Sequence, residues 1–127
     1  MPRIEISENS GAEELAPIAI AINEILNLPV TMRSAGARGV RVERGKVVDD
    51  DYTGPVLEDV LRSGRAMRTI PSSGAFKGVP VSVAPIRLKD RVLAAVGVVD
   101  VVGTIDIPEI FGAYVDVVRQ VSEHRKP

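Results

Sequence analysis

The chain has 127 residues, 45% hydrophobic and 26% charged, enough for one domain whose core needs neither disulfides nor a structural metal. Lys and Arg number 16 against 17 Asp and Glu, a net charge of −1, so the chain is not built chiefly to grip nucleic acid or an anionic membrane. There is no cysteine, which excludes disulfides, thiolate metal sites, iron–sulfur ligation and a thiol nucleophile, and the single histidine, His124, lies in the C-terminal tail. That histidine content leaves no His-based metal cluster and argues against a Ser-His-Asp triad, so no metal and no cofactor are expected.

The first ten residues are polar and carry Glu5 and Glu8, without the basic start and apolar run of a signal peptide. The longest apolar-plus-glycine run, Val92 to Val99, is well short of the roughly 20 residues a membrane helix needs. A cytoplasmic protein with no membrane partner is the expectation. The aromatic residues Tyr52, Phe76, Phe111 and Tyr114 are too few for a single-strand stacking platform.

Ser10 and Glu13 have the spacing of a capping box ahead of Leu15, Ile18, Ala19, Ile22, Ile25 and Leu26, an apolar stripe at helical spacing. Pro17 either begins this helix or kinks one that starts near Ala12. Asn23, Glu24 and Asn27 are assigned to its wet side, and Asn27 with Pro29 closes it. Val30 to Arg33 reads as a short strand, and Ser34 to Gly39 as a turn. Val40, Val42, Val47 and Val48 flank a tight hairpin at Arg44-Gly45. Asp49-Asp50-Asp51 precedes a second helix capped by Thr53 or Gly54, with Pro55 in its first turn. Its buried face is Val56, Leu57, Val60 and Leu61, and Gly64 stops it. The acidic run is read as complementing that helix's dipole, a divalent-cation site being the lesser alternative.

Arg65 to Ile70 is a further strand, and Pro71 to Gly78 a loop. Val79 to Leu88 and Val92 to Val102 are long strands joined at Lys89-Asp90-Arg91. The second is apolar on both faces, the mark of a central strand covered on both sides. Pro85 must fall at a bulge or where no ladder donor is needed. Thr104 or Asp106 caps a last helix whose apolar face is Ile110, Phe111, Tyr114, Val115, Val118 and Val121. The fold class that follows is α+β: a mostly antiparallel sheet of five or six strands with N- and C-terminal helices on one face. Residues 1–127 form one domain, with 1–9 and 124–127 as frayed tails.

Three segments carry a resemblance: T-G-P-V-L-E-D-V-L-R-S-G-R-A-M from Thr53, P-V-S-V-A-P-I-R-L from Pro80 and R-V-L-A-A-V-G-V-V-D-V from Arg91. They resemble the GAF-like (GAF/PAS-type) ligand-sensing domains, in which a short helix ends near glycine, one strand ends in P-I and another reads I-G-V/A followed by an apolar residue. R-G-V-R-V-E, V-V-D-D-D-Y-T-G-P-V-L and A-A-V-G-V-V-D also resemble a small archaeal family of methanogens with no established activity. The GAF resemblance implies terminal helices on one sheet face, a small-molecule pocket under loops on the other, and pairing of subunits through the terminal helices. The cysteines of the bilin-carrying and sulfoxide-reducing kinds are missing here, and no cyclic-nucleotide signature is present.

The loop Ser72-Ser73-Gly74-Ala75-Phe76-Lys77-Gly78 has the small residues, hydroxyls and charge of an anion cradle, but not P-loop spacing; a plain connection is the competing reading. As a lid, it would place Phe76 over an apolar ligand part, with Lys77 or Arg68 meeting an acidic group. Asp100 interrupts the most apolar strand and is read as paired to backbone or an arginine, or else to a ligand. The candidate ligand-binding residues are therefore Arg68, Ser72, Ser73, Phe76, Lys77 and Asp100, and none is assigned to catalysis. Arg33, Arg38, Arg41, Arg44 and Lys46 are read as a solvated face. Gly97 marks a close approach, by a helix before a ligand. Surplus apolar residues on the terminal helices, Ala16 and Ile20 among them, point to a homodimer. The function expected is a non-catalytic small-molecule sensor or regulatory module that signals through dimerisation or a partner protein. A structural domain with a filled pocket and an enzyme acting on a small acid are the alternatives.

Overall fold

The computed structural model describes residues 2–100. In chain order these form α1 (Ala12–Leu26), β1 (Val30–Ser34), β2 (Gly39–Glu43), β3 (Lys46–Tyr52), α2 (Pro55–Ser63), β4 (Met67–Thr69), β5 (Val81–Leu88) and β6 (Arg91–Val99). The six strands make one sheet in the order β3-β2-β1-β6-β5-β4, and every neighbouring pair is antiparallel. The α+β class and the six-stranded sheet agree with the sequence reading. The predicted last helix, with its cap at Thr104 or Asp106, lies outside the described residues, as do Val101 and Val102 of the predicted last strand.

Directly opposed residues share a sheet face, so the register sorts the side chains into rows. One row runs Val42, Val30, Val98, Ser82 and Arg68. The next runs Arg41, Thr31, Gly97, Val83 and Met67 and points to the other face. The first face meets α1: Leu15 and Ala19 pack on Val30, Met32, Val40 and Val42. The second meets α2: Val56, Leu57 and Val60 pack with Tyr52, Val81, Val83 and Ala95. The middle helix thus covers the sheet face opposite α1.

On the α1 side, cover is incomplete among the described residues. Ile22, Arg68, Ser82, Ala84, Val96 and Val98 border an open groove of about 730 Å³. The expectation of a β6 dry on both flanks therefore holds on the α2 side and only in part on this one.

Helix α1 begins at Ala12 with Gly11 as N-cap and no side-chain cap. Ser10 is not the capping residue: its hydroxyl accepts from Ser7 N at 2.8 Å and donates to Glu5 O. Those bonds, the Gly36 N–H on Glu8 O at 2.7 Å, the Glu8–Arg91 ion pair and the packing of Ile6 on the core hold a segment that the sequence marked as a tail. Pro17 sits inside the helix and removes one hydrogen bond without ending it. Asn27, at φ 55°, closes it in the left-handed conformation, as predicted.

Asn23 is the clearest departure in this helix. It is 4% exposed, not wet: its amide donates to Leu28 O at 2.7 Å and its carbonyl oxygen accepts from Gly45 N at 2.7 Å. It ties the end of α1 to the β2–β3 turn. Ile25 takes its place in solvent at 79% exposure, and Leu26 is also exposed.

The hairpin turn is Arg44-Gly45, both at positive φ, which matches the twist of the flanking strands. The β5–β6 turn is shorter than predicted, Lys89-Asp90, with Lys89 at φ 57°. Strand β3 carries two register shifts against β2, bulges that bend this edge strand. Asp49 and Asp51 lie in that strand, with Asp51 N on Asp49 Oδ1 at 2.9 Å; the acidic residue in the first turn of α2 is Glu58. The dipole role assigned to the acidic run therefore falls to Glu58. Pro85 pairs with Ala95 beyond the reach of β4, where β5 has no second neighbour among the described residues and so no ladder bond to lose.

Replacing Asn23 with Ala strands the Leu28 carbonyl and the Gly45 N–H, and is expected to cost about 2–3 kcal/mol. Urea unfolding of the variant measures this, and a loss under about 0.5 kcal/mol would contradict the bridge.

Candidate functional site

Between α2, the sheet and the Ile70–Pro80 connection lies a cavity of about 30 Å³, room for one water molecule. Its floor is Thr31, Val83, Gly97 and Val99, one wall is Tyr52, Val56 and Leu57, and its roof is Pro71, Ser73, Ala75 and Phe76. The roof is a folded turn whose backbone bonds close on itself: Gly78 N on Pro71 O at 2.9 Å, Lys77 N on Gly74 O at 3.3 Å and Val79 N on Phe76 O at 2.9 Å. Gly74, at φ 84°, fits because an added Cβ would lie 3.1 Å from Pro55 Cδ. Phe76 packs on the α2-side core. The roof thus rests on the domain by apolar contact.

Gly97 at the floor is needed for a reason the sequence did not show. An added Cβ would lie 2.9 Å from both Thr31 Oγ1 and Val83 Cγ2, so side chains of the flanking strands lean into its place. Neither a helix nor a ligand is what approaches there.

The candidate residues separate into two places. Ser73 and Phe76 line the cavity, while Ser72 and Lys77 are exposed and are not part of its lining. Arg68 and Asp100 belong to the other side: Arg68 Nε is 3.8 Å from Asp100 Oδ2, and Ser82 Oγ donates to the same oxygen at 2.9 Å. Asp100 is therefore paired with an arginine and a hydroxyl, the structural reading of this residue. Arg68 borders the open groove beside α1, on the face away from Phe76. A lid bearing Phe76 and Arg68 on one ligand is not what the fold builds.

Two arginines read as a solvated face are the polar groups of the α2 side. Arg33 donates through Nη1 to Thr53 Oγ1 at 2.8 Å and through Nε to Ser34 O at 3.0 Å, while Thr53 Oγ1 donates to Glu58 Oε2 at 2.6 Å. This network fixes the start of α2 on β1. Arg41 alternates with Val40 and Val42, which suggested an exposed row, but both faces of β2 are covered. Its guanidinium carbon lies 5.8 Å from the Tyr52 ring centre and 5.9 Å from that of Phe76. Arg41 Nε is the buried side-chain nitrogen or oxygen that lacks a hydrogen bond among the described residues. Arg41 forms an ion pair with Glu43, whose Oε2 stands 3.6 Å from Nε, beyond hydrogen-bond range. Arg38, Arg44 and Lys46 are exposed.

Burial pushes the Tyr52 hydroxyl above its ordinary pKa; Arg41 opposes the rise, and Asp49 and Glu43 add to it. Among the described residues no group of three or more His, Asp or Glu side chains gathers to hold a metal ion, and no helix is long and apolar enough to cross a membrane.

The fold favours neutral Tyr52, so its contribution to stability is full below the unfolded pKa and is lost as pH rises through the raised folded value. In a Tyr114→Phe background, ultraviolet titration of Tyr52 is expected to give a midpoint above 10.0. A midpoint at or below 10.0 would contradict the burial seen here.

A family model described as "Uncharacterized protein conserved in archaea (DUF2111)" matches residues 22–102, which contain β1 to β6 and α2. A relative from Methanocaldococcus jannaschii, "Uncharacterized protein MJ0405", is 52% identical over 99 residues, covering 77% of this chain and 76% of its own. No solved structure matches. By the span of that model and the identity to that relative, the chain belongs to this family of archaeal proteins.

Proposed function

We propose that this protein is a non-catalytic, GAF-like small-molecule-binding module of the cytoplasm, and that the α2-side cavity is its ligand site in the closed state. The observation that carries the reading is the roof. Pro71 to Phe76 covers the middle of the sheet with backbone bonds that close on themselves, so it can lift without breaking a sheet or helix hydrogen bond. Sites of this kind are concave and mostly apolar with a few placed polar groups, as Thr31, Tyr52 and Ser73 are among Val56, Leu57, Val83 and Val99. Support for the GAF-like assignment comes from the six-stranded antiparallel sheet and from the loop and short helix gathered over one of its faces. Exposed Ile25 and Leu26 on α1 support signalling through a homodimer.

A second reading has its own observation. A space of about 30 Å³ is what a filled pocket leaves, and it favours a structural or interaction domain with no guest.

A thermal-shift screen of metabolites against the wild type and Phe76→Ala separates the two. A bound compound at 100 times its dissociation constant should stabilise the wild type by about 2.7 kcal/mol. In Phe76→Ala, which thins the roof, the same compound should give a shift of different size, because the roof contributes to the bound state. If no compound shifts either protein and Phe76→Ala only loses stability, as truncation of a partly buried side chain does, the filled-pocket reading replaces the first.

A further inference from the structure

We infer that the guest of this site is a small carboxylate with a compact apolar body, and that Arg41 is the residue that receives its charge. The inference rests on the ligand-site reading of the α2-side cavity.

Arginine is always protonated, and a buried guanidinium N–H without an acceptor is costly. Arg41 Nε is such a donor, on a side chain that is 26% exposed. The guanidinium lies within about 6 Å of two ring centres, Tyr52 of the sheet and Phe76 of the roof, and its ion pair with Glu43, at 3.6 Å, leaves Nε without a hydrogen bond. Both of those aromatic residues also line the cavity, and Thr31, directly across the ladder from Arg41, forms its floor. Lifting Phe76 therefore does two things together: it opens the apolar space and uncovers the unsatisfied donor beside it.

An oxyanion fits this pair of changes better than a neutral guest does. It would replace the Phe76 contact with a charge-assisted hydrogen bond, the stronger kind, in planar geometry suited to the guanidinium fork. Glu43 and Asp49 stand nearby, the first at 3.6 Å from Nε and the second across the ladder, so Arg41 exerts little long-range pull on anions. Selectivity then has to come from direct contact at Nε, and because Arg41 is not part of the closed lining but stands behind Tyr52 and Phe76, that contact requires Phe76 to move aside. The apolar lining, Val56, Leu57, Val83 and Val99, sets the other half of the requirement.

The test compares 3-methylbutanoate with 3-methylbutanamide, which have nearly the same shape and differ in charge. Binding is followed on the amide NMR signals of Thr31, Tyr52 and Gly97 in the full chain, alongside Arg41→Gln and Arg41→Lys. The carboxylate is expected to bind the wild type about tenfold or more tighter than the amide. Both variants should abolish that preference, Arg41→Lys because it keeps the charge and loses Nε. Equal binding of the two compounds, or a preference that survives in Arg41→Gln, would overturn the carboxylate inference and leave the ligand site standing. If neither compound moves the three signals at millimolar concentration while other metabolites do, the carboxylate inference again falls alone. If no compound of any class moves them, both readings fall. The wild-type comparison decides the matter even if an Arg41 variant fails to fold.

Discussion

The register of β6 between β1 and β5 is the constraint on which the rest of the structure depends. A slip of one residue would send every side chain of the strand to the opposite face. The observed register places Ala95 and Gly97 under α2 and the roof, and Val96 and Val98 toward the α1 side. It also sets Gly97 between Thr31 and Val83, the position where any side chain would collide. Small residues in this strand let α2 lie close to the sheet, and that closeness leaves a water-sized space under the roof rather than an open chamber.

The two faces of the sheet are held differently. On the α1 side, the helix itself is held by apolar packing of Leu15 and Ala19 and by Asn23, which ties its end to a turn, while the Arg68–Asp100–Ser82 group stands apart at the β4 end of the sheet. On the α2 side, polar groups take part throughout: Arg33 anchors Thr53 and Ser34 at the start of the helix, and Arg41 reaches from the sheet to the roof. A helix fixed by hydrogen bonds and a roof fixed by ring contacts differ in what it takes to move them. Hydrogen bonds must be broken and replaced, whereas ring contacts can slide or part at smaller cost. The proposed opening of the roof rests on this asymmetry, since a scaffold that positions a functional loop needs a frame held more firmly than the loop.

Much of this architecture was legible in the residues. Both described helices, the Arg44-Gly45 hairpin, the Gly64 stop and the apolar character of β6 follow from period and turn chemistry. The misreadings share a physical origin, because a one-dimensional pattern does not tell which face a later element will cover. Arg41 alternates with valines, so it looked exposed until Tyr52 and Phe76 came over it. Asn23 looked wet because asparagine usually is, and only the distant Gly45 explains its burial. The bulges in β3 leave no periodic signature strong enough to read, since exposed Val47 and Val48 interrupt its alternation.

The candidate site was half legible for the same reason. Ser73 and Phe76 were found because the small residues, hydroxyls and charge of their loop are those of an anion cradle. Arg68 and Asp100 were grouped with them by charge, yet the ladder puts Arg68 opposite Ser82, in the row that faces the α1 side. Arg41 was missed as a partly buried group of the α2 side. The available signal was its place between two valines on a strand hydrogen-bonded to both neighbours, where an arginine must find cover on one face or stay wet.

Native-state hydrogen exchange at several low denaturant concentrations distinguishes a roof that opens by itself from one that moves only with the frame. With an independent roof, the Gly78 and Val79 amides, which close the roof turn, exchange through a small opening nearly insensitive to denaturant, while the β6 amides exchange only by global unfolding. Gly78 and Val79 amides that exchange only together with β6 would contradict the proposed opening, because the roof would then be part of the core.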